Sequence, residues 1–242
     1  MTAIRSCAFL VLSLGVMVFL GLTMLPALLL ARPLAARVPV WFAGVQLFLL
    51  DVVAGLRLEV RGRSNLPGGP ALIAVKHQSA LEAYALARLF PDACFVIKQE
   101  IVRLPVVGWF VSAMDCLAID RRAGLASLRR ILGHAARVTN EGRCIVIFPE
   151  GTRTAPGERV AYQRGVAGLY AALGVPVVPV ALNCGVFWPR RQIMKRPGCA
   201  VMAFLEAIPP ALPRARFMEE LESRIETGTG ELVAEARKAT RS

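Results

Sequence analysis

Twenty-five consecutive residues without a charge, Cys7 to Ala31, limit what this 242-residue chain can become more than any other stretch. As a helix they would run for about 37 Å, enough to cross a ~30 Å hydrocarbon layer with some tilt. Pro26 predicts a kink near one end. The run is longer than the apolar part of a cleaved signal peptide, roughly 7–15 residues, so a retained anchor is expected. A second apolar segment, Val38 to Leu56, carries Trp41, Phe42 and Phe48, with Asp51 near its end. It can lie in the lipid interface or return across the bilayer, and the sequence leaves open whether one segment, both or neither spans. Arg32, Arg37, Arg57, Arg61 and Arg63 flank the pair, whereas only Arg5 precedes it. By the positive-inside rule the remainder is expected on the cytoplasmic side of the cell inner membrane. Residues 1–56 are thus expected as membrane-anchoring helices and residues 57–242 as the working domain.

Beyond the anchor the chain is basic. Its net charge is +12, and 19 of its 29 Lys and Arg fall between Ala71 and Arg216. A basic face beside an apolar N-terminus suits an anionic membrane surface, which contributes about 1 kcal/mol for each Lys or Arg held there. A nucleic-acid partner is not expected, because aromatic-interleaved basic stretches, zinc-ligand spacing and helix-turn-helix signals are all missing. Six cysteines are scattered without a C-x-x-C pair, several inside apolar strand-like runs. They indicate neither a disulfide framework nor a metal site, and a reducing compartment fits them.

Short apolar runs alternate with helical patterns. Strands are expected at Leu56 to Arg61 (an edge), Ala71 to Val75, Ala93 to Ile97, Cys116 to Ile119, Arg143 to Phe148, Val177 to Leu182 and Ala200 to Leu205. Leu125, Leu128, Ile131, Leu132, Ala135 and Val138 recur at helical spacing. Further helices are expected at Arg164 to Leu173 and at Phe217 to Lys238, the latter interrupted at Gly228 and Gly230. Ile101 to Phe110, with Pro105 and Gly108, reads as a hydrophobic connector. The alternation predicts an α/β fold.

Within this pattern Ala71 to Leu86 stands out: a buried strand, then Lys76 and His77, then a helix opened by Ser79 and carrying Glu82. Strand-to-helix turns are where α/β proteins place their chemistry. An imidazole is partly neutral at pH 7 and accepts a proton. A carboxylate on its other nitrogen would fix the tautomer and stabilise the imidazolium. On one continuous helix, residues five apart point roughly 140° from each other. His77 and Glu82 therefore meet only if His77 sits before the helix and folds back over its first turn. Glu82 has an equally good second reading, since Ser79 to Glu82 spells a capping box in which the carboxylate returns to the Ser79 amide. The other histidine, His134, lies among Arg129, Arg130 and Arg137 and reads as a surface or boundary residue.

Four blocks in order resemble the membrane glycerolipid acyltransferases, the family of 1-acylglycerol-3-phosphate acyltransferases. They are Lys76-His77-Gln78-Ser79-Ala80-Leu81-Glu82, then Leu117-Ala118-Ile119-Asp120-Arg121, then Phe148-Pro149-Glu150-Gly151-Thr152-Arg153, and Val177-Val178-Pro179-Val180. The third is a full match and the most specific. The chain departs from the family at the first block, where Glu82 replaces the usual Asp and Lys76 the usual Asn. It departs again at the second, where Asp115 replaces Gly and Ala118 an aromatic or proline.

The resemblance implies a mixed central sheet with helices on both faces, preceded by the apolar N-terminal helices. It implies transfer of a fatty acyl group from acyl-CoA or acyl carrier protein to the sn-2 hydroxyl of lysophosphatidate, with no cofactor besides that donor substrate. His77 would be the general base and Glu82 its orienting acid. Arg121, Glu150, Gly151, Thr152, Arg153 and Arg164 would form the acceptor site, the guanidinium groups holding phosphate bidentately. Glu150 has the alternative of pairing with Arg153, and amides near His77 are expected to polarise the thioester carbonyl. The implied partners are the lipid bilayer, a lysophospholipid and the acyl donor. Two other functions are open: acyl transfer to a different lysolipid, such as a lyso-ornithine lipid, and a catalytically silent lipid-binding role.

Overall fold

The computed structural model describes residues 2–119 and 125–239. Seven strands among them form one sheet: β1 (Leu56–Arg61), β2 (Leu72–Val75), β3 (Cys94–Lys98), β4 (Leu117–Ile119), β5 (Ile145–Ile147), β6 (Val177–Leu182) and β7 (Gly198–Phe204). Their order is β1-β7-β6-β2-β5-β3-β4, with β1 at an edge as expected. Every neighbouring pair is parallel except β6 and β7, so the sheet is mixed. β2 lies at the centre between β5 and β6, and its four residues are wholly buried.

Ten helices accompany the sheet among the described residues. They are α1 (Thr2–Thr23), α2 (Leu25–Leu30), α3 (Arg32–Leu49), α4 (Leu81–Leu89), α5 (Gln99–Val102), α6 (Val107–Ala113), α7 (Leu125–Asn140), α8 (Gly165–Leu173), α9 (Cys184–Phe187) and α10 (Arg214–Ala239). They cover both faces, because successive strand residues point to opposite sides. Ile73 and Val75 pack with Phe9 of α1, Val40 of α3 and Leu81 and Leu86 of α4. Leu72 and Ala74 pack instead with Ala135 of α7, Leu169 of α8 and Phe217 and Leu221 of α10.

Two segments differ from the sequence expectation, and a third breaks where a kink was expected. The uncharged N-terminal run is interrupted at Pro26, since α1 ends at Thr23 and α2 restarts with Pro26 in its first turn. A proline there lacks the N–H that would continue the preceding helix. The connector at Ile101 to Phe110 holds parts of α5 and α6. The last helix is continuous through both glycines. Gly228 is there for contact, as a Cβ on it would stand 3.0 Å from the Ala181 Cβ on β6.

Two helical stretches, Thr2–Thr23 and Arg32–Ala54, are long and apolar enough to cross a membrane. They expose Val18, Phe19, Leu22, Trp41 and Phe48, with Leu29 and Leu30 bare between them. Their other sides rest on the α/β body. Phe9 meets Trp188 edge-on, Phe42 meets Tyr84 edge-on, and the Lys195 ammonium lies 4.5 Å over the Phe9 ring.

Candidate active site

The central strand β2 ends at Val75, and the chain turns through Lys76 to Ala80 before α4 begins at Leu81. His77 therefore sits ahead of the helix, and its Nδ1 lies 3.0 Å from Glu82 Oε1. The same oxygen accepts the Gln78 amide at 2.7 Å and the Ser79 amide at 2.5 Å. Glu82 thus both caps the turn and holds the imidazole. Ser79 is not the N-cap; its hydroxyl accepts the Leu81 amide, one position before the Glu82 amide that a capping box would give it.

Glu82 is fully buried, and its Oε2 has no hydrogen-bond partner among the described residues. Burial and the Glu82 charge push the neighbouring Cys184 thiol well above its ordinary value, so it stays protonated. Glu82 Oε1 already accepts two backbone amides, so the Nδ1 facing it is placed to donate, the tautomer in which a neutral ring leaves its Nε2 lone pair free. Among the described residues Nε2 has no protein partner. The ring stacks on Phe148 at 4.0 Å between centroids.

The turn after β5 closes on the His77 backbone. Glu150 Oε2 accepts the His77 amide at 2.8 Å, and the Thr154 amide donates to the His77 carbonyl at 2.8 Å. Gly151 adopts φ +62°, the left-handed turn conformation that glycine takes without strain. The Glu150 carboxylate is buried and pairs with Lys76 at 2.7 Å, not with Arg153. The amides beside His77 do not point at an open site: those of His77, Gln78, Ser79 and Leu81 already have acceptors.

A cavity of about 790 Å³ begins at this turn. Its polar lining includes His77, Lys98, Gly151, Thr152, Arg153, Gln163, Arg190 and Arg191. The remainder is mostly apolar, with Leu20 of α1, Phe42 of α3, Tyr84 of α4, Phe95 of β3, Phe110 of α6 and Leu169 of α8 among its walls. Burial pushes the Tyr84 phenol up, while the nearby Arg153 guanidinium draws it part of the way back. Arg190 donates to the Arg153 carbonyl. The structure thus brings His77, Glu82, Gly151, Thr152 and Arg153 together. It leaves Glu150 buried behind the turn and Arg164 exposed at the head of α8, between the cavity-lining Gln163 and Gly165. Arg121 lies outside the described residues. Arg190 and Arg191 were visible in the sequence as positive charge, with no local pattern tying them to His77.

The Acyltransferase family model matches residues 57–183. The chain is 34% identical over 189 residues to the 1-acyl-sn-glycerol-3-phosphate acyltransferase of Pseudomonas aeruginosa, covering 78% of this chain and 74% of that one. The Saccharomyces cerevisiae enzyme of the same name is 28% identical over 165 residues, covering 66% of this chain and 54% of that one. The crystal structure of the 1-acyl-sn-glycerophosphate acyltransferase PlsC from Thermotoga maritima superposes with a TM-score of 0.75 at 22% identity, covering 96% and 95% of the two chains. That likeness shows the same fold. The chain is an O-acyltransferase, built on a mixed sheet with helices on both faces. It belongs to the acyltransferase family, alongside the 1-acyl-sn-glycerol-3-phosphate acyltransferases.

Proposed function

We propose that this chain transfers a fatty acyl group from acyl-CoA or acyl carrier protein to the sn-2 hydroxyl of lysophosphatidate, giving phosphatidate. The observation that carries the reading is an imidazole held at Nδ1 by a buried carboxylate, set in the polar lining of an otherwise apolar cavity. Lysophosphatidate has the same division, a phosphate and a hydroxyl at one end of a long hydrocarbon.

His77 Nε2 takes the hydroxyl proton as the oxygen bonds to the thioester carbonyl. The tetrahedral adduct then collapses, the carbon–sulfur bond breaks, and the imidazolium returns its proton to the leaving thiolate. General-base catalysis of this kind contributes about 10²–10⁴-fold, or roughly 3–5 kcal/mol of barrier. Glu82 fixes the tautomer and stabilises the imidazolium, as an orienting carboxylate does in a triad. Arg153, joined by Arg190, Arg191 and Arg121, binds the phosphate; Gly151 and Thr152 shape the turn beneath it, and Arg164 assists from α8. Glu150 supports His77 through its amide. The reaction needs no cofactor besides the donor substrate.

The apolar helices in residues 1–56 anchor the chain in the inner membrane, with residues 57–242 on the cytoplasmic side. The Arg distribution around the first two segments supports that orientation.

Radiolabelled acyl transfer on isolated membranes with a panel of lysolipids tests the reading. Lysophosphatidate should be the preferred acceptor, and His77→Ala should abolish transfer while the protein stays folded and membrane-bound. Arg153→Ala should raise KM only for phosphate-bearing acceptors. Near-normal turnover by His77→Ala would remove the base assignment. Activity confined to a phosphate-free lysolipid would move the reading to that acceptor, and no activity on any would leave a lipid-binding role.

A further inference from the structure

Behind the His77 turn lies a buried group of charges that the acyl-transfer chemistry does not use. Lys76 Nζ is 2.7 Å from Glu150 Oε1 and 2.7 Å from Glu226 Oε1, with the three side chains 1%, 0% and 7% exposed. Tyr162 donates its hydroxyl to the same Glu226 oxygen at 2.9 Å. Burial first, and then Glu226, push that phenol far above its ordinary value, so it is always a donor. One carboxylate would be enough to neutralise Lys76. A second one, brought in from α10 and buried at a desolvation cost, calls for a reason.

Glu150 supplies the reason, because it alone in this group touches the catalytic turn. Its Oε2 accepts the His77 amide, and its Oε1 is shared between Lys76 and the Thr154 hydroxyl at 2.8 Å. Left alone with Glu150, the Lys76 ammonium would centre itself on that carboxylate and compete with the His77 amide for it. Glu226 Oε1 holds the same ammonium at 2.7 Å.

We propose that Glu226 is a positioning residue for acyl transfer: by sharing Lys76 it keeps the Glu150 carboxylate on the His77 amide, and so ties α10 to the imidazole. The inference rests on His77 being the general base.

The test is a double-variant cycle on the full chain in lipid vesicles, with kcat, both KM values and the thermal midpoint measured for Glu226→Gln, Lys76→Asn and the pair combined. Glu226→Gln should lower kcat about tenfold with both KM values within about threefold, the pattern of a misaligned catalytic group. Lys76→Asn alone leaves two buried carboxylates facing each other, and kcat should fall about 100-fold. Combining the two should recover at least about tenfold over Lys76→Asn, the signature of coupled neighbours.

A parental kcat in Glu226→Gln overturns the proposal. So does a double variant no faster than Lys76→Asn, or a lowered thermal midpoint with kcat per folded molecule unchanged. Should Lys76→Asn fail to fold, the Glu226→Gln kcat decides alone. His77→Ala separates the two readings: if it stays active while the cycle still shows coupling in kcat, the base assignment fails and the coupling stands.

Discussion

Glu82 Oε1 receives two backbone amides and an imidazole nitrogen, so one atom ends the turn and aims the ring. The sequence offered these roles as rivals because cap and catalytic partner are usually weighed separately, yet a side chain entering the turn from the first turn of α4 reaches both. Glu82→Gln separates charge from geometry. A glutamine oxygen still accepts from the amides, so the turn and the thermal midpoint should hold, while the lost charge no longer stabilises the imidazolium. Turnover at saturating substrate should fall about 10²-fold, read from initial rates beside a melting curve. A turnover unchanged in Glu82→Gln would leave the carboxylate as a cap alone. Other contacts in the site were not legible. Arg190 and Glu226 lie 113 and 149 positions from His77 along the chain, and only the assembled sheet brings their elements to the same end of β2.

The strands were the readable elements. β2, β5 and β6 are buried on both faces, and such strands appear in sequence as continuous Val, Ile, Leu and Ala runs. The short α5 and α6 were hidden by Pro105 and Gly108, which read locally as breakers but here lie between and at the start of two separate helical turns. The entry to β4 also departed from pattern, and the structure explains how it is tolerated. Asp115 has φ 59°, a left-handed conformation in which a glycine would be at ease. Its carboxylate takes Arg137 at 2.7 Å and Arg143 at 3.0 Å, clamping the entry to β4 to α7 and to the start of the β5 segment, while His134 Nε2 lies 3.0 Å away without a hydrogen bond. Partial burial pushes the Asp115 carboxyl up, but the two guanidinium groups outweigh it and hold it below its ordinary value. A depressed carboxyl stabilises the fold above its unfolded value of about 3.8 and loses that contribution as pH falls through the folded value. Asparagine also accepts the left-handed backbone, so Asp115→Asn removes only the charge. The thermal midpoint should drop about 1–3 °C at pH 7, because the clamp is partly solvent-screened. The gap should close as pH falls through the folded value of Asp115, where the parent carboxyl is protonated as well.

Among the described residues, large bare apolar side chains run along the N-terminal helices, with others at Leu104, Trp109, Ile193 and Met194. Leu29 and Leu30 are 88% and 86% exposed, a placement that suits hydrocarbon better than water. With these helices in lipid as proposed, Leu29→Ser combined with Leu30→Ser should weaken partitioning into liposomes at least about tenfold. Sedimentation with vesicles of graded anionic content would measure it, and the remaining attraction should fade with added salt. Unaltered partitioning would mean that these leucines do not meet the bilayer. Anchor and catalyst are nonetheless one structure, because Leu20 of α1 and Phe42 of α3 are walls of the cavity that His77 lines. Clipping the chain ahead of Leu56 to obtain a tractable soluble fragment would strip these walls from the cavity and uncover Ile73, Val75 and Leu81, on which the His77 turn rests. Such a fragment should lose the fold of the site together with its apolar walls.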